Sequence, residues 1–212
     1  MILVVGGAGY IGSQVVRELL NQKYEVLVLD NLLTGRRVEV DFRAQFIEGN
    51  FGDRELLQEI FSEKSIDAVM HVAPISLVEK TVDHTAKNYQ NNVSAINTLL
   101  ETMLEFSVKK FIVTLNQDIH KIPNDDLIIE NNSGRQLNSM IEIILEDYHK
   151  VYDLEYAILR YMNNGDVQTV LEYDYSSADG TCINGDINET YLVQALFLSV
   201  EKMLEKNSFI NA

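Results

Sequence analysis

Cysteine and proline are nearly absent: Cys182 stands alone, and Pro74 and Pro123 are the only two prolines. A lone cysteine excludes any intramolecular disulfide and fits a reducing compartment, so a cytoplasmic location is expected. No apolar run approaches the length of a membrane span. The apolar N-terminus has no basic leader and its run stops at Gly6, which reads as a strand rather than a signal peptide. Basic residues are scarce, with 17 Lys and Arg against 32 Asp and Glu, a net charge of −15. Binding to phosphate-rich surfaces needs clustered cations, so neither nucleic acid nor an anionic membrane is expected as a partner. No repeat or low-complexity segment occurs, and 212 residues suit one α/β domain, alone or with a small appendage.

What is present begins at once, in MILVVGGAGYIG from Met1 to Gly12. Ile2-Leu3-Val4-Val5 is a wholly apolar run of the kind buried on both faces of a parallel sheet. It breaks into Gly6-Gly7-Ala8-Gly9 and restarts as a helix at Tyr10-Ile11-Gly12, continuing to about Gln22. Gly7, Gly9 and Gly12 satisfy G-x-G-x-x-G, and Gly6, Gly9 and Gly12 satisfy the G-x-x-G-x-x-G variant. Such glycines serve a tight turn, close approach to a pyrophosphate, and packing of helix on strand. The helix N-terminus would then offer N–H groups and a favourable dipole to the phosphates. Val26 to Leu29 forms a second buried strand, and Asp30 at its end lies eighteen residues after Gly12. An acid there accepts hydrogen bonds from the ribose hydroxyls and repels a 2′-phosphate, which predicts NAD over NADP. Arg36 and Arg37, just beyond, argue the other way, since arginines near this point can hold that phosphate.

The rest of the chain alternates. Ala44–Glu48 reads as a third strand, 53–61 as a helix, and Ala68–Ala73 as a fourth strand stopped by Pro74. A helix over 86–106, a strand over 110–114, a helix over 135–152 and a strand over 156–161 follow. This order predicts a doubly wound parallel sheet, helices on both faces, with ligands at the carboxyl ends of the strands. Beyond Asn163 the rhythm fails, and a polar, glycine-containing segment leads to one last helix over 189–205.

Five ordered motifs carry a resemblance: GGAGYIGS, LDNLLTG around Asp30, EGN at Glu48–Asn50, NNV at Asn91–Val93 and LRYMN at Leu159–Asn163. Together they resemble the extended short-chain dehydrogenase family, and within it the UDP-glucose 4-epimerase branch. The resemblance implies an NAD-binding domain over 1–165, with 166–212 as what is left of a substrate-binding region. It implies that Asp30 and Asn31 face the adenine ribose, and that Asn50 replaces an aspartate at the adenine. Val72-Ala73-Pro74 stands where the family has Phe-Ala-Gly beside the pyrophosphate and nicotinamide ribose. Asn92 matches an asparagine of the cofactor channel, and Met162 replaces an aromatic near the nicotinamide. The implied cofactor set is Gly6, Gly9, Tyr10, Ile11, Gly12, Asp30, Asn31, Gly35, Asn50, Phe51, Val72, Ala73, Pro74, Asn92 and Met162.

The departures from that family concern chemistry. Its catalysis depends on a Tyr-x-x-x-Lys pair and a Ser or Thr after the fifth strand. Registering Met140-Ile141-Glu142 on the family helix puts Gly134 at the tyrosine, Asn138 at the lysine and Asn116 at the hydroxyl residue. Glycine transfers no proton and asparagine carries no positive charge. Tyr-x-x-x-Lys occurs nowhere in the chain, so no slip of alignment restores it. After LRYMN the family's nucleotide-sugar region is largely missing, and Asn184 stands where an arginine would grip the UDP phosphates.

No catalytic residue and no metal site is therefore assigned. His120, near Asp118 beyond the fifth strand, is a candidate substitute base with no identifiable partner. His71, His84, His120 and His149 lack metal-ligand spacing, and His71 reads as a satisfied core residue. Three functions stay open: an NAD(H)-binding, non-catalytic sensor, regulator or partner subunit; an active nucleotide-sugar enzyme with recruited groups; or an interaction module with a vestigial cofactor site. For assembly, the helices over 86–106 and 135–152 supply Ile96, Leu99, Leu100, Met103, Leu104, Met140, Ile143, Ile144 and Tyr148. That broad apolar surface predicts a two-fold dimer, or pairing with a full-length epimerase relative.

Overall fold

The computed structural model describes residues 1–73, 90–117, 133–164, 167–175 and 189–205. The chain starts with β1 (Ile2–Val5), α1 (Tyr10–Asn21) and β2 (Val26–Asp30), then a short 3₁₀ turn at Arg37–Glu39. Next come β3 (Gln45–Glu48), α2 (Arg54–Glu63) and β4 (Ala68–His71). A π-helical turn at Gln90–Ser94 runs into α3 (Ala95–Glu105), followed by β5 (Lys110–Gln117) and α4 (Ser133–Tyr152). β6 (Glu155–Asn164), β7 (Val167–Tyr175) and α5 (Glu189–Glu205) complete the order.

The strands lie as β3-β2-β1-β4-β5-β6-β7, the first six parallel. The order reverses direction at β1, which pairs with β2 on one side and β4 on the other. Successive residues of each strand point to opposite faces, and β1, β2 and β4 are buried throughout, because helices cover both faces. On one face Ile2, Val4, Val28 and Ile112 pack under Val15, Val16 and Leu19 of α1 and Leu196 and Val200 of α5. On the other, Leu3, Val5, Leu29 and Val113 pack under Leu57 and Ile60 of α2, Ile96 and Leu99 of α3, and Ile141 and Leu145 of α4.

Two expectations change. The segment after Asn163 is not uniformly irregular, since Val167–Tyr175 forms β7, antiparallel to β6 with a register shift at Arg160/Tyr161. Its sequence mixes acids with apolar residues, which hid the strand, although Gly165-Asp166 between two β-rich runs is a hairpin signal. The expected division at 165/166 thus falls between two strands of one sheet. α5 shares the core of α1, with Phe197 edge-on to Tyr24 at 6.2 Å between ring centroids.

The apolar stripe of the helix expected over 86–106 also needs correction. Ile96, Leu99, Leu100 and Met103 are fully buried in the chain's own core, and of the stripe on this helix Leu104 alone is half-buried. Residues 86–89 lie outside the described residues. Of the two helices expected to pair, α4 is the one that turns apolar side chains outward: Met140 and Ile143 are exposed, with Val151 and Tyr152 further along.

Because α5 closes the same core as α1, Leu196→Ala is expected to destabilise the whole domain by about 2–5 kcal/mol. Chemical denaturation should still show one transition; a separate early transition for α5 would contradict the shared core.

Candidate functional site

The first turn follows from its glycines. Gly6 has φ +84°, open to glycine at little cost, and a Cβ there would lie 2.5 Å from the Ala73 nitrogen. The turn after β1 and the end of β4 therefore touch through backbone. A Cβ on Gly12 would stand 2.1 Å from the Gly6 oxygen, so the start of α1 rests directly on the turn. At Gly9 a Cβ would meet only the Gly6 oxygen, at 3.3 Å, and the space before it is open. Gly9 is also the N-cap of α1 and supplies no side-chain cap. That is the cradle an anion needs: an approachable backbone at a helix N-terminus.

Asp30, nearly buried at the end of β2, accepts two backbone hydrogen bonds at 2.9 Å, from Ala8 N–H to Oδ2 and from Leu32 N–H to Oδ1. Arg36 N–H donates to the Ala8 carbonyl at 3.0 Å, and Gly35 sits where a Cβ would press on the Ala8 backbone. The loop after β2 is thus fastened to the glycine turn. After β3, the Asn50 side-chain oxygen accepts from Gly52 N–H at 2.9 Å.

These segments enclose one cleft at the carboxyl ends of the strands. It is lined by Val5, Gly6, Gly9, Leu29, Asp30, Asn31, Leu33, Thr34, Gly49, Asn50, Phe51, Ala73 and Asn92. Eight of these belong to the expected cofactor set: Gly6, Gly9, Asp30, Asn31, Asn50, Phe51, Ala73 and Asn92. Gly12 and Gly35 act one step back, as packing residues. Val72 is buried, Ile11 half-buried and Tyr10 exposed at the start of α1, none of them in the lining. Pro74 lies outside the described residues, as does the Met162 side chain. Val5, Leu29, Leu33, Thr34 and Gly49 were missed. Val5 and Leu29 were findable, because strand ends at the reversal of strand order line such clefts; nothing in the sequence marked Leu33.

Neither Arg36 nor Arg37 lines the cleft. Arg36 pairs with Glu39, and the Arg37 guanidinium lies over the Phe46 ring, 4.4 Å from its centroid. Gly134 lies in the first turn of α4, Asn138 is buried further along it, and Asn116 belongs to β5. His120 lies outside the described residues.

His71 ends β4 and is buried, as expected, but it is not satisfied. Neither ring nitrogen has a hydrogen-bond partner among the described residues. Its ring stands edge-on to Phe51, 4.7 Å between centroids. Burial pushes its pKa down from the ordinary 6.5 to about 4.

A doubly wound sheet with a glycine turn and a clamped acid at the ends of its first two strands defines a Rossmann-type protein of the short-chain dehydrogenase kind. A sequence model of the NAD dependent epimerase/dehydratase family matches residues 2–118. The chain is 33% identical to a UDP-glucose 4-epimerase of Lactobacillus helveticus, covering 97% of this chain and 73% of that protein. A UDP-glucose 4-epimerase of Lacticaseibacillus casei is 36% identical over 76% of this chain and 51% of its own length. The crystal structure of UDP-glucose 4-epimerase from Brucella ovis in complex with NAD superposes with a TM-score of 0.73 at 31% identity, covering 97% of this chain and 74% of that one. The chain belongs to the NAD dependent epimerase/dehydratase family. The Lactobacillus alignment runs over 242 positions against 212 residues here, so at least 30 positions of that relative face gaps in this chain.

The buried His71 makes an acid-stability prediction. Between pH 6.5 and about 4 the unfolded chain binds a proton that the folded chain does not. Stability is therefore complete above that window and falls as pH drops through it, by about 3 kcal/mol in total. Denaturant midpoints measured from pH 7 to pH 4 should show this loss, and His71→Leu should remove most of it. An unchanged pH slope in that variant would sink the assignment.

Proposed function

We propose that the chain binds NAD(H) and does not turn over a nucleotide sugar, acting as a sensor, regulator or partner subunit. The observation that carries this is a glycine-turn cleft in a chain with no Tyr-x-x-x-Lys; the family resemblance registers Gly134 and Asn138 at that pair. The open space at Gly9 fits a phosphate. Each Asp30 oxygen holds one backbone N–H and keeps lone-pair capacity for a ribose hydroxyl. The engagement of Arg36 with Glu39 and of Arg37 with Phe46 supports NAD over NADP. NAD supplies a hydride acceptor; proton transfer has to come from side chains, and at position 134 there is none.

The second reading, an active epimerase with recruited groups, is favoured by the names of the relatives, which are UDP-glucose 4-epimerases. The positions that face gaps in this chain weigh against it, on the reading that they fall in the nucleotide-sugar region after Asn163, where their loss removes substrate positioning.

Calorimetry with NAD and with NADP tests the cofactor: NAD should bind clearly more tightly, and Gly9→Val should abolish binding while the thermal transition stays cooperative. No binding of either dinucleotide, or a preference for NADP, overturns the proposal.

Incubation with UDP-glucose or UDP-galactose, followed by product chromatography, tests catalysis. Loss of a general acid–base group costs about 10²–10⁴ in rate. Turnover at an ordinary enzyme's rate would restore the second reading.

For assembly, we propose that two copies pair through the outer face of α4, with Met140 and Ile143 at its centre, a place that a full-length relative's helix would equally fit. Light scattering should give a dimer, and Ile143→Lys a folded monomer. A monomeric parent protein at micromolar concentration contradicts self-pairing.

A further inference from the structure

His71 breaks a rule that the rest of the core obeys. It pairs with Val5 on one side and Val113 on the other, in the middle of the sheet, and is 2% exposed. A buried polar group without a partner destabilises, and leucine would fill similar space without that penalty. Local rules are broken where a site needs it.

The position of the ring says which site. Among the described residues its only ring contact is with Phe51, which lines the cleft. Its strand neighbour Val5 lines the cleft too, as does Ala73 two residues on, whose nitrogen abuts Gly6. The imidazole thus stands behind the meeting point of three lining segments without reaching the cleft itself. An imidazole has a polarised edge and a π face, so an edge-on contact with phenylalanine has a preferred geometry that an aliphatic side chain lacks.

We propose that His71 is a positioning residue that sets the Phe51 ring as a wall of the dinucleotide cleft. The role rests on the cleft being a dinucleotide site, as proposed above. It assigns the imidazole a cost in stability and a gain in ligand affinity.

The test is a double-mutant cycle on the full chain with His71→Leu, Phe51→Leu and the pair, reading Tm and the NAD dissociation constant. His71→Leu should raise Tm yet weaken NAD binding by roughly two- to tenfold, the range an aromatic pair spans. A purely structural residue would lose stability and affinity together. Phe51→Leu should weaken binding, and adding His71→Leu to it should cost little more. In the ligand-free protein, Phe51 ring proton shifts should move in His71→Leu. His71→Phe, which keeps an aromatic ring, serves if the leucine variant does not fold, and should retain most of the affinity. Unchanged NAD affinity in His71→Leu, or losses that multiply in the double variant, overturns the proposal while leaving the cofactor reading intact. Absence of NAD binding by the parent protein overturns both.

Discussion

The Asp30 carboxylate is the constraint on which the cleft depends. Its two oxygens hold the N–H groups of Ala8, in the turn after β1, and Leu32, in the loop after β2. Charge-assisted bonds of this kind are worth about 1.5–3 kcal/mol each when sheltered from water. Here they join two loops from adjacent parallel strands, which backbone ladders alone do not connect. Leu32 has φ 57°, an uncommon conformation for leucine, and the bond from its N–H to Asp30 compensates for it. Gly35 against Ala8 and Arg36 N–H on the Ala8 carbonyl complete the seam. The same acid that would meet a ribose therefore first builds the rim that surrounds it.

Away from the cleft, the helices on the opposite side from α1 are strapped by polar contacts. Arg54 of α2 reaches Glu101 at 2.8 Å and also Glu105 of α3. Asn97 of α3 donates to Glu101 and accepts from the Tyr148 hydroxyl of α4, both at 2.9 Å. Burial pushes the Tyr148 pKa upward, with Glu101 and Tyr152 adding to it. These pairs are half-exposed, and surface pairs contribute little net stability. Their consequence is alignment: they hold α3 and α4 side by side and leave Met140 and Ile143 facing outward.

The cleft lining and α4 arise in different parts of the chain. Most of the cleft lining comes from the glycine turn and the ends of the first three strands, before residue 52, with Ala73 and Asn92 added from further along. α4 keeps its core-facing Ile141 and Leu145 while carrying Gly134 and Asn138. A helix held by core packing keeps its place against the sheet whatever residues its first turn carries.

Much of this was legible in the residues themselves. Runs such as Ile2–Val5 and Val26–Leu29 are apolar at every position, and only a strand covered on both faces uses such a run. Gly6, Gly9, Gly12 and Asp30 identified the cleft because their spacing is a local property of one strand–turn–helix unit and the strand beside it. Three features depended on contacts between distant segments. Whether Leu100 is surplus surface or core depends on α3 lying against β5 and β1, and it is core. β7 owes its place to pairing with β6, since its alternation is too mixed to declare a face. His71 looked satisfied from its strand alone. Only the packed sheet, with Val5 and Val113 beside it and Phe51 at its edge, shows that among the described residues no side chain pairs with its ring nitrogens.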